Sequence, residues 1–310
     1  MIPILRLIRL PNVFTALADI IAGYFIATYG SPPQWGAFAL LCGASAALYL
    51  SGMALNDYAD REEDARVRPQ RPIPSGAVSP STALSVGICL MLGGAVLAAL
   101  VGRTSLICAG VLAVAVAAYD FLAKGKTLAG PLTLGVCRAA NIVLSMSAVY
   151  NIPGTYSGMQ TTQPGLPWLL ALASGFYGAS VTAFSAQEEG GKNNRSIALG
   201  SVFLGLGVGV AGLIHVHARS PIFGDLNWIG IAILVVLAIQ LIVRLHALSK
   251  TGTPDAARAL VLSGVKGYCL LDAGMLMLYG GKALIFPALG ALLMLFPGGW
   301  LRKWLAQREA

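Results

Sequence analysis

Three stretches of this 310-residue chain, residues 20–56, 72–102 and 139–187, contain no Asp, Glu, Lys or Arg. A helix needs about 20 consecutive apolar residues to cross the hydrocarbon core of a bilayer, so each stretch has room for one or two crossings. A soluble domain of this size has too little interior to bury such runs. Composition agrees: 56% of residues are hydrophobic and 11% charged, with mean hydropathy +0.74, against about 25% charge in an average globular domain. The chain reads as an all-α polytopic membrane protein, a single domain over residues 1–310.

Turn signals and charges divide the sequence into about ten apolar helices, near 11–30, 34–56, 80–101, 104–121, 130–150, 166–187, 196–216, 227–248, 258–280 and 283–301. With the N-terminus in the cytoplasm, 17 of the 21 Lys and Arg residues fall in inner segments. Three (Arg103, Arg219, Lys282) fall outside, and Lys266 lies within a span. This positive-inside asymmetry supports an even number of crossings. It places both termini and the acidic clusters on the cytoplasmic side of what reads as a bacterial inner membrane. The basic N-terminus lacks a small-residue cleavage site and reads as a retained first helix. The net charge of +8 needs no other cause. No basic run is interleaved with aromatics, so nucleic acid is not an expected partner. The cysteines Cys42, Cys89, Cys108, Cys137 and Cys269 stand singly in apolar stretches, without metal or disulfide spacing, and read as small buried hydrophobes.

The longest inner connection differs from every other loop. Five of the chain's 13 acidic residues (Asp57, Asp60, Glu62, Glu63, Asp64) fall between positions 57 and 64. If the second helix continues through them, Asp57, Asp60 and Asp64 stand at i, i+3 and i+7 on one face, with Asn56 beside them. Bare carboxylates so close repel one another. A divalent cation reverses that sign, and Mg²⁺ prefers hard oxygens, often carboxylates together with substrate phosphates. The sequence RPQRPIPSG follows, with Arg68 and Arg71 offering planar forks that match phosphate oxygens on a proline-stiffened loop. The competing reading is a solvated charge run. The shared helix face, the apolar helix before it and the cations after it favour a magnesium–diphosphate site.

A second acidic cluster follows the sixth helix, Gln187-Glu188-Glu189, with Lys192 and Arg195 after it. An ordinary polar loop is the alternative there. A third patch comprises Tyr119, Asp120 and Lys124, then Arg138 and Asn141. Its cations reach a phosphate or anchor helix ends at the lipid headgroups. Asp19, Lys266 and Asp272 lie within spans, where charges pair inside the bundle or line a cavity. His215, His217 and His246 sit near helix ends and read as structural.

These residues resemble the UbiA superfamily of intramembrane prenyltransferases, and within it the EboC-like branch. Asn56-Asp57-x-x-Asp60-x-x-x-Asp64 matches that family's first aspartate-rich motif, NDxxDxxxD, and the RPxRPxPSG continuation follows. Tyr119-Asp120-x-x-x-Lys124 and Arg9-Leu10-Pro11-Asn12 add support. The resemblance covers about residues 5–280. Two departures stand out. The family's second motif, of DxxxD type, is replaced by Ser185-Ala186-Gln187-Glu188-Glu189, and a tenth span is added to the usual nine.

The resemblance implies a ring of transmembrane helices around a central cavity, capped by a cytoplasmic polar layer and open sideways to lipid. It implies Mg²⁺-dependent transfer of a prenyl group from a polyprenyl diphosphate to an acceptor, usually aromatic. Asp57, Asp60 and Asp64, aided by Asn56, would hold one ion, and Glu188 and Glu189 a second. Asn12, Arg68, Arg71, Tyr119, Lys124, Arg138, Asn141, Lys192 and Arg195 would bind substrate, the cations among them neutralising the departing diphosphate. Tyr58, Tyr119, Tyr177 and Phe184 offer π faces for an allylic cation. The rival is an altered homologue that binds or transports a prenyl lipid. Pyrophosphate release separates the two.

Overall fold

The computed structural model describes residues 2–151, 165–190, 193–217 and 226–307, and all regular structure among them is helical. The first half comprises α1 (Ile2–Leu7), α2 (Val13–Ala27), α3 (Trp35–Ala59), α4 (Arg61–Val67), α5 (Pro80–Val101), α6 (Arg103–Ala118), α7 (Ala129–Met146) and α8 (Ala148–Asn151). The second comprises α9 (Leu166–Ser185), α10 (Gln187–Gly190), α11 (Asn194–His217), α12 (Asn227–Thr251), α13 (Pro254–Gly280), α14 (Ile285–Leu293) and α15 (Leu295–Gln307). A 3₁₀ turn, Leu10–Asn12, leads into α2, and a π-helical turn, Tyr119–Ala123, ends α6.

Local chemistry sets several boundaries. Ser79 caps α5 by accepting from the Thr82 amide, with Pro80 at the first helical position, where a missing N–H costs nothing. Thr253 and Pro254 do the same for α13, the cap accepting from the Ala256 amide.

Among the described residues nine helical runs are long and apolar enough to cross a membrane. The last, Pro254–Leu305, counts 52 residues, about 78 Å if straight against a hydrocarbon core of about 30 Å. It is not straight. Gly281 takes φ +48°, a left-handed region open to glycine, and the chain folds back through a 3₁₀ turn so that α14 packs on α13 and α2. The expected tenth segment is therefore present as two shorter helices, α14 and α15, the second resting on α2 and the 3₁₀ turn that precedes it.

Helix α2 is the hub, touching α3, α7, α13 and α14. The outer helices α5, α11 and α12 turn large apolar side chains outward, among them Leu92, Leu100, Val202, Val236 and Ile242, as a lipid-facing surface must. Lipid offers no hydrophobic drive between helices, so close backbone contact at small residues does that work. A Cβ on Gly135 of α7 would stand 2.6 Å from the carbonyl oxygen of Gly175 on α9, and one on Gly230 of α12 would meet that of Gly274 on α13 at 2.6 Å. The cysteines follow the same division: Cys137 and Cys269 are buried and Cys42 and Cys108 half-buried, but Cys89 is exposed on the outer face of α5. A thiol is apolar enough to face lipid, which corrects the reading of all five as buried.

Candidate active site

The acidic face survives a change of helix. α3 ends at Ala59 and α4 begins at Arg61, yet Asp60 between them keeps helical backbone: its amide donates to the Asn56 carbonyl at 3.0 Å and its carbonyl accepts from Asp64 at 2.8 Å. Asp57 and Asp64 are buried. The proline-rich loop then folds back, with Ile73 and Val78 packed against Leu7, Ala54 and Ala83. That packing carries Arg71 over the carboxylates.

Arg71 Nη1 lies 2.6 Å from Asp64 Oδ2, 3.5 Å from Asp57 Oδ1 and 4.0 Å from Asp60 Oδ2. Arg68 Nη1 stands 3.3 Å from Asp64 Oδ1, and Lys124 pairs with Asp60. Arg9 Nη2 donates to Asp57 Oδ1 at 2.7 Å and to Asn56 Oδ1 at 3.3 Å. Four cations thus surround three carboxylates. Arg9 was visible in the sequence only as part of a weak motif; the structure makes it a principal partner. Burial opposes its charge, but Asp57 and Asp60 outweigh that and raise its pKa above the ordinary arginine value. Its backbone is left-handed, φ +45°, alone in this among the described non-glycine residues.

Beneath the cluster, the π-helical turn presents Asp120, which sequence reasoning noted without a role. Asn56 Nδ2 donates to its Oδ1 at 3.0 Å, and its Oδ2 is buried without a hydrogen-bond partner among the described residues. Such turns occur often at functional sites. Tyr119 and Asp120 line a chamber of about 80 Å³ between α2, α3, α6 and α7, together with Tyr49, Arg138 and Asn141. The rest of the lining is mostly apolar.

Arg138 and Asn141 do not join the acidic cluster. Arg138 Nη1 donates to Asp19 Oδ2 at 2.9 Å and Nη2 to Thr15 Oγ1 at 2.9 Å, while its guanidinium lies 3.7 Å above the Tyr268 ring. Asn141 Nδ2 donates to the same Asp19 oxygen at 3.0 Å, and its own Oδ1 accepts from Ser45 at 2.7 Å. Asp19 and Asp272 are fully buried, as intramembrane charges facing the bundle should be. Lys266, expected to pair inside or line a cavity, is instead exposed on α13, its long stem free to reach a more polar layer.

The other expected residues divide clearly. Asn12 closes the 3₁₀ turn, its carbonyl accepting from Thr15 Oγ1 at 3.0 Å. Glu188 is half-buried: burial pushes its carboxyl up, with the charges of Arg258 and Arg68 pulling the other way. Arg195 is exposed, with no contact to the first cluster among the described residues. Lys192 and the side chains of Glu189, His215 and His217 lie outside the described residues, and His246 is exposed. Of the aromatic candidates, Tyr119 lines the chamber. Tyr177 and Phe184 are buried in the packing core, and Tyr58 lies under Arg61.

No group of three or more Asp, Glu, His or Cys side chains among the described residues forms a ready metal cage. The donor set nevertheless suits a hard divalent ion: oxygens from Asp57, Asp60 and Asp64 converge within 4.0 Å of one cationic nitrogen, and the Asn56 amide oxygen faces the same cluster through Arg9.

A sequence profile of the UbiA prenyltransferase family matches residues 16–265. Over 122 residues the chain is 38% identical to a digeranylgeranylglyceryl phosphate synthase of Natronomonas pharaonis, covering 39% of this chain and 43% of the relative. Over 150 residues it is 27% identical to a 4-hydroxybenzoate octaprenyltransferase of Cupriavidus necator, covering 48% and 49%. It spans less than half the length of either. The structure of a UbiA homologue from Aeropyrum pernix K1 superposes with TM-score 0.65 at 17% identity, covering 84% of this chain and 96% of that one, a likeness of fold.

Proposed function

The chain belongs to the UbiA prenyltransferase family, and on that premise we propose that it transfers a prenyl group from a polyprenyl diphosphate to an acceptor inside the membrane, with Mg²⁺. One observation carries the reading: Asp57, Asp60 and Asp64 share the Arg71 guanidinium, and the Asn56–Asp120 hydrogen bond links that cluster to a largely apolar chamber. A diphosphate needs charge compensation, and its prenyl tail needs an oily enclosure.

Asp57, Asp60 and Asp64, with Asn56, would hold the ion, which when bound neutralises diphosphate oxygens and improves the leaving group. The remaining work falls to the chain's own side chains. Arg68, Arg71 and Lys124 are held by carboxylates, yet each is partly exposed, so a diphosphate can draw them onto its oxygens. As the allylic C–O bond breaks, its electron pair leaves with the diphosphate and these cations take up the charge. The Tyr119 ring, which lines the chamber, would offer its π face to the electron-poor carbon. Interactions of that kind are worth about 0.5–2 kcal/mol. The apolar walls keep out water that would otherwise capture it.

The acceptor is a membrane-soluble lipid or aromatic compound, a class supported by the names of the two relatives. The test uses full-length protein in lipid nanodiscs, Mg²⁺, radiolabelled farnesyl or geranylgeranyl diphosphate, and host lipid extract as acceptor pool. Pyrophosphate release with a labelled lipid product is the expected result. Asp60→Asn and Asp64→Asn should each weaken diphosphate binding at least tenfold. Unchanged binding in both would overturn the metal assignment, and labelled-lipid flux without pyrophosphate release would favour a carrier.

A further inference from the structure

The Asn56 side chain is a primary amide, and an amide can present either its oxygen or its NH₂ group to the carboxylate cluster. Only the oxygen is useful toward a cation; the NH₂ group would repel one. Nothing in the helix itself decides between the two, because they differ by a half-turn of the terminal torsion. The neighbours decide. On one side Asp120 Oδ1 accepts from Asn56 Nδ2 at 3.0 Å. On the other side Arg9 Nη2 offers only a donor, 3.3 Å from Asn56 Oδ1. Reversing the amide would set oxygen against oxygen and nitrogen against nitrogen at once.

Among the described residues Asp120 has no other hydrogen bond that explains its burial. Its second oxygen is enclosed without a partner, on a π-helical turn 64 positions away from Asn56. A buried carboxylate that makes a single bond, to the one amide beside the acidic face, is an expensive way to satisfy an asparagine. We propose that Asp120 is a positioning residue: it holds Asn56 so that the amide oxygen faces the divalent cation and diphosphate bound at Asp57, Asp60 and Asp64.

This inference rests on the magnesium–diphosphate reading. Partners that orient metal-binding side chains typically contribute about 10–100-fold in metal affinity. The test is Mn²⁺ binding followed by electron paramagnetic resonance, on full-length protein in detergent micelles with inorganic pyrophosphate as headgroup probe. Asp120→Leu removes the acceptor and should weaken Mn²⁺ about 10–100-fold. The exchange variant, Asn56→Asp with Asp120→Asn, turns the hydrogen bond around while keeping an oxygen aimed at the site. It should recover affinity to within about threefold of wild type by the same reasoning.

The outcomes separate cleanly. Wild-type protein that binds no Mn²⁺ with pyrophosphate overturns the underlying metal reading. Wild-type protein that binds, with Asp120→Leu binding equally well, overturns the role of Asp120 alone. An Asp120→Leu loss that the exchange fails to repair, with the exchanged protein folded by circular dichroism, also overturns it, because aim of the oxygen would not then be what was lost.

Discussion

Replacing Arg71 by Met removes the one side chain among the described residues that touches all three carboxylates, and the expected cost can be worked from its neighbours. Stripping a buried charge of its partner costs about 3–5 kcal/mol. No carboxylate is stripped completely here: Asp64 keeps Arg68 at 3.3 Å, Asp57 keeps Arg9 at 2.7 Å, and Asp60 keeps Lys124. The loss is then closer to that of charge-assisted hydrogen bonds, about 1.5–3 kcal/mol, and partial exposure of the Arg71 side chain favours the lower half of that range. Unfolding in detergent, followed by circular dichroism over a denaturant series, measures it. A double-mutant cycle sharpens it. Arg71→Met with Asp64→Asn should show a coupling of about 1–2 kcal/mol, whereas Arg71→Met with Asp255→Asn, on the exposed start of α13, should add to within about 0.5 kcal/mol. A coupling below about 0.5 kcal/mol in the first cycle would refute the claim that Arg71 neutralises the acidic face.

The intramembrane pair should behave more severely. Arg138→Met leaves Asp19 fully buried with Asn141 as its remaining hydrogen-bond donor, and should cost about 3–5 kcal/mol in the same unfolding assay; a loss under about 1 kcal/mol would refute it. Glu188 gives a pH prediction of definite sign. Its pKa is raised by burial in the folded state, so the folded protein binds its proton more tightly than the unfolded chain. The stabilisation is complete below the unfolded value of about 4.3 and is lost as pH climbs through the raised one. Glu188→Gln should therefore flatten that decline in Tm as pH rises above the ordinary glutamate value, and parallel Tm–pH curves for the two proteins would sink the argument.

The helices and the acidic face were legible because both are written in local periodicity. Asp57, Asp60 and Asp64 needed only a continuous helix to share a side, and Asp60 supplies that continuity across the α3–α4 junction. What periodicity cannot encode is which distant residue answers a charge. Arg71 and Lys124 read as phosphate ligands, yet in the folded chain they rest on carboxylates. Arg138 read the same way and is bound to Asp19, 119 positions earlier. Asp120 gained its meaning from Asn56 on another helix. Lys266 and Asp272 looked alike as intramembrane charges, but α13 turns one outward and the other into the core.

Residue 9 answers to two demands that pull against each other. Its backbone sits where a side chain is unwelcome, at a cost of about 1–3 kcal/mol, while its guanidinium ties the start of the chain to Asn56 and Asp57. Glycine there would relax the turn and cut the tether; a lysine would keep the charge and lose the fork. The amino-terminal hook thus works as a brace under tension, and the acidic helix end owes part of its alignment to a segment lying 47 residues upstream of it.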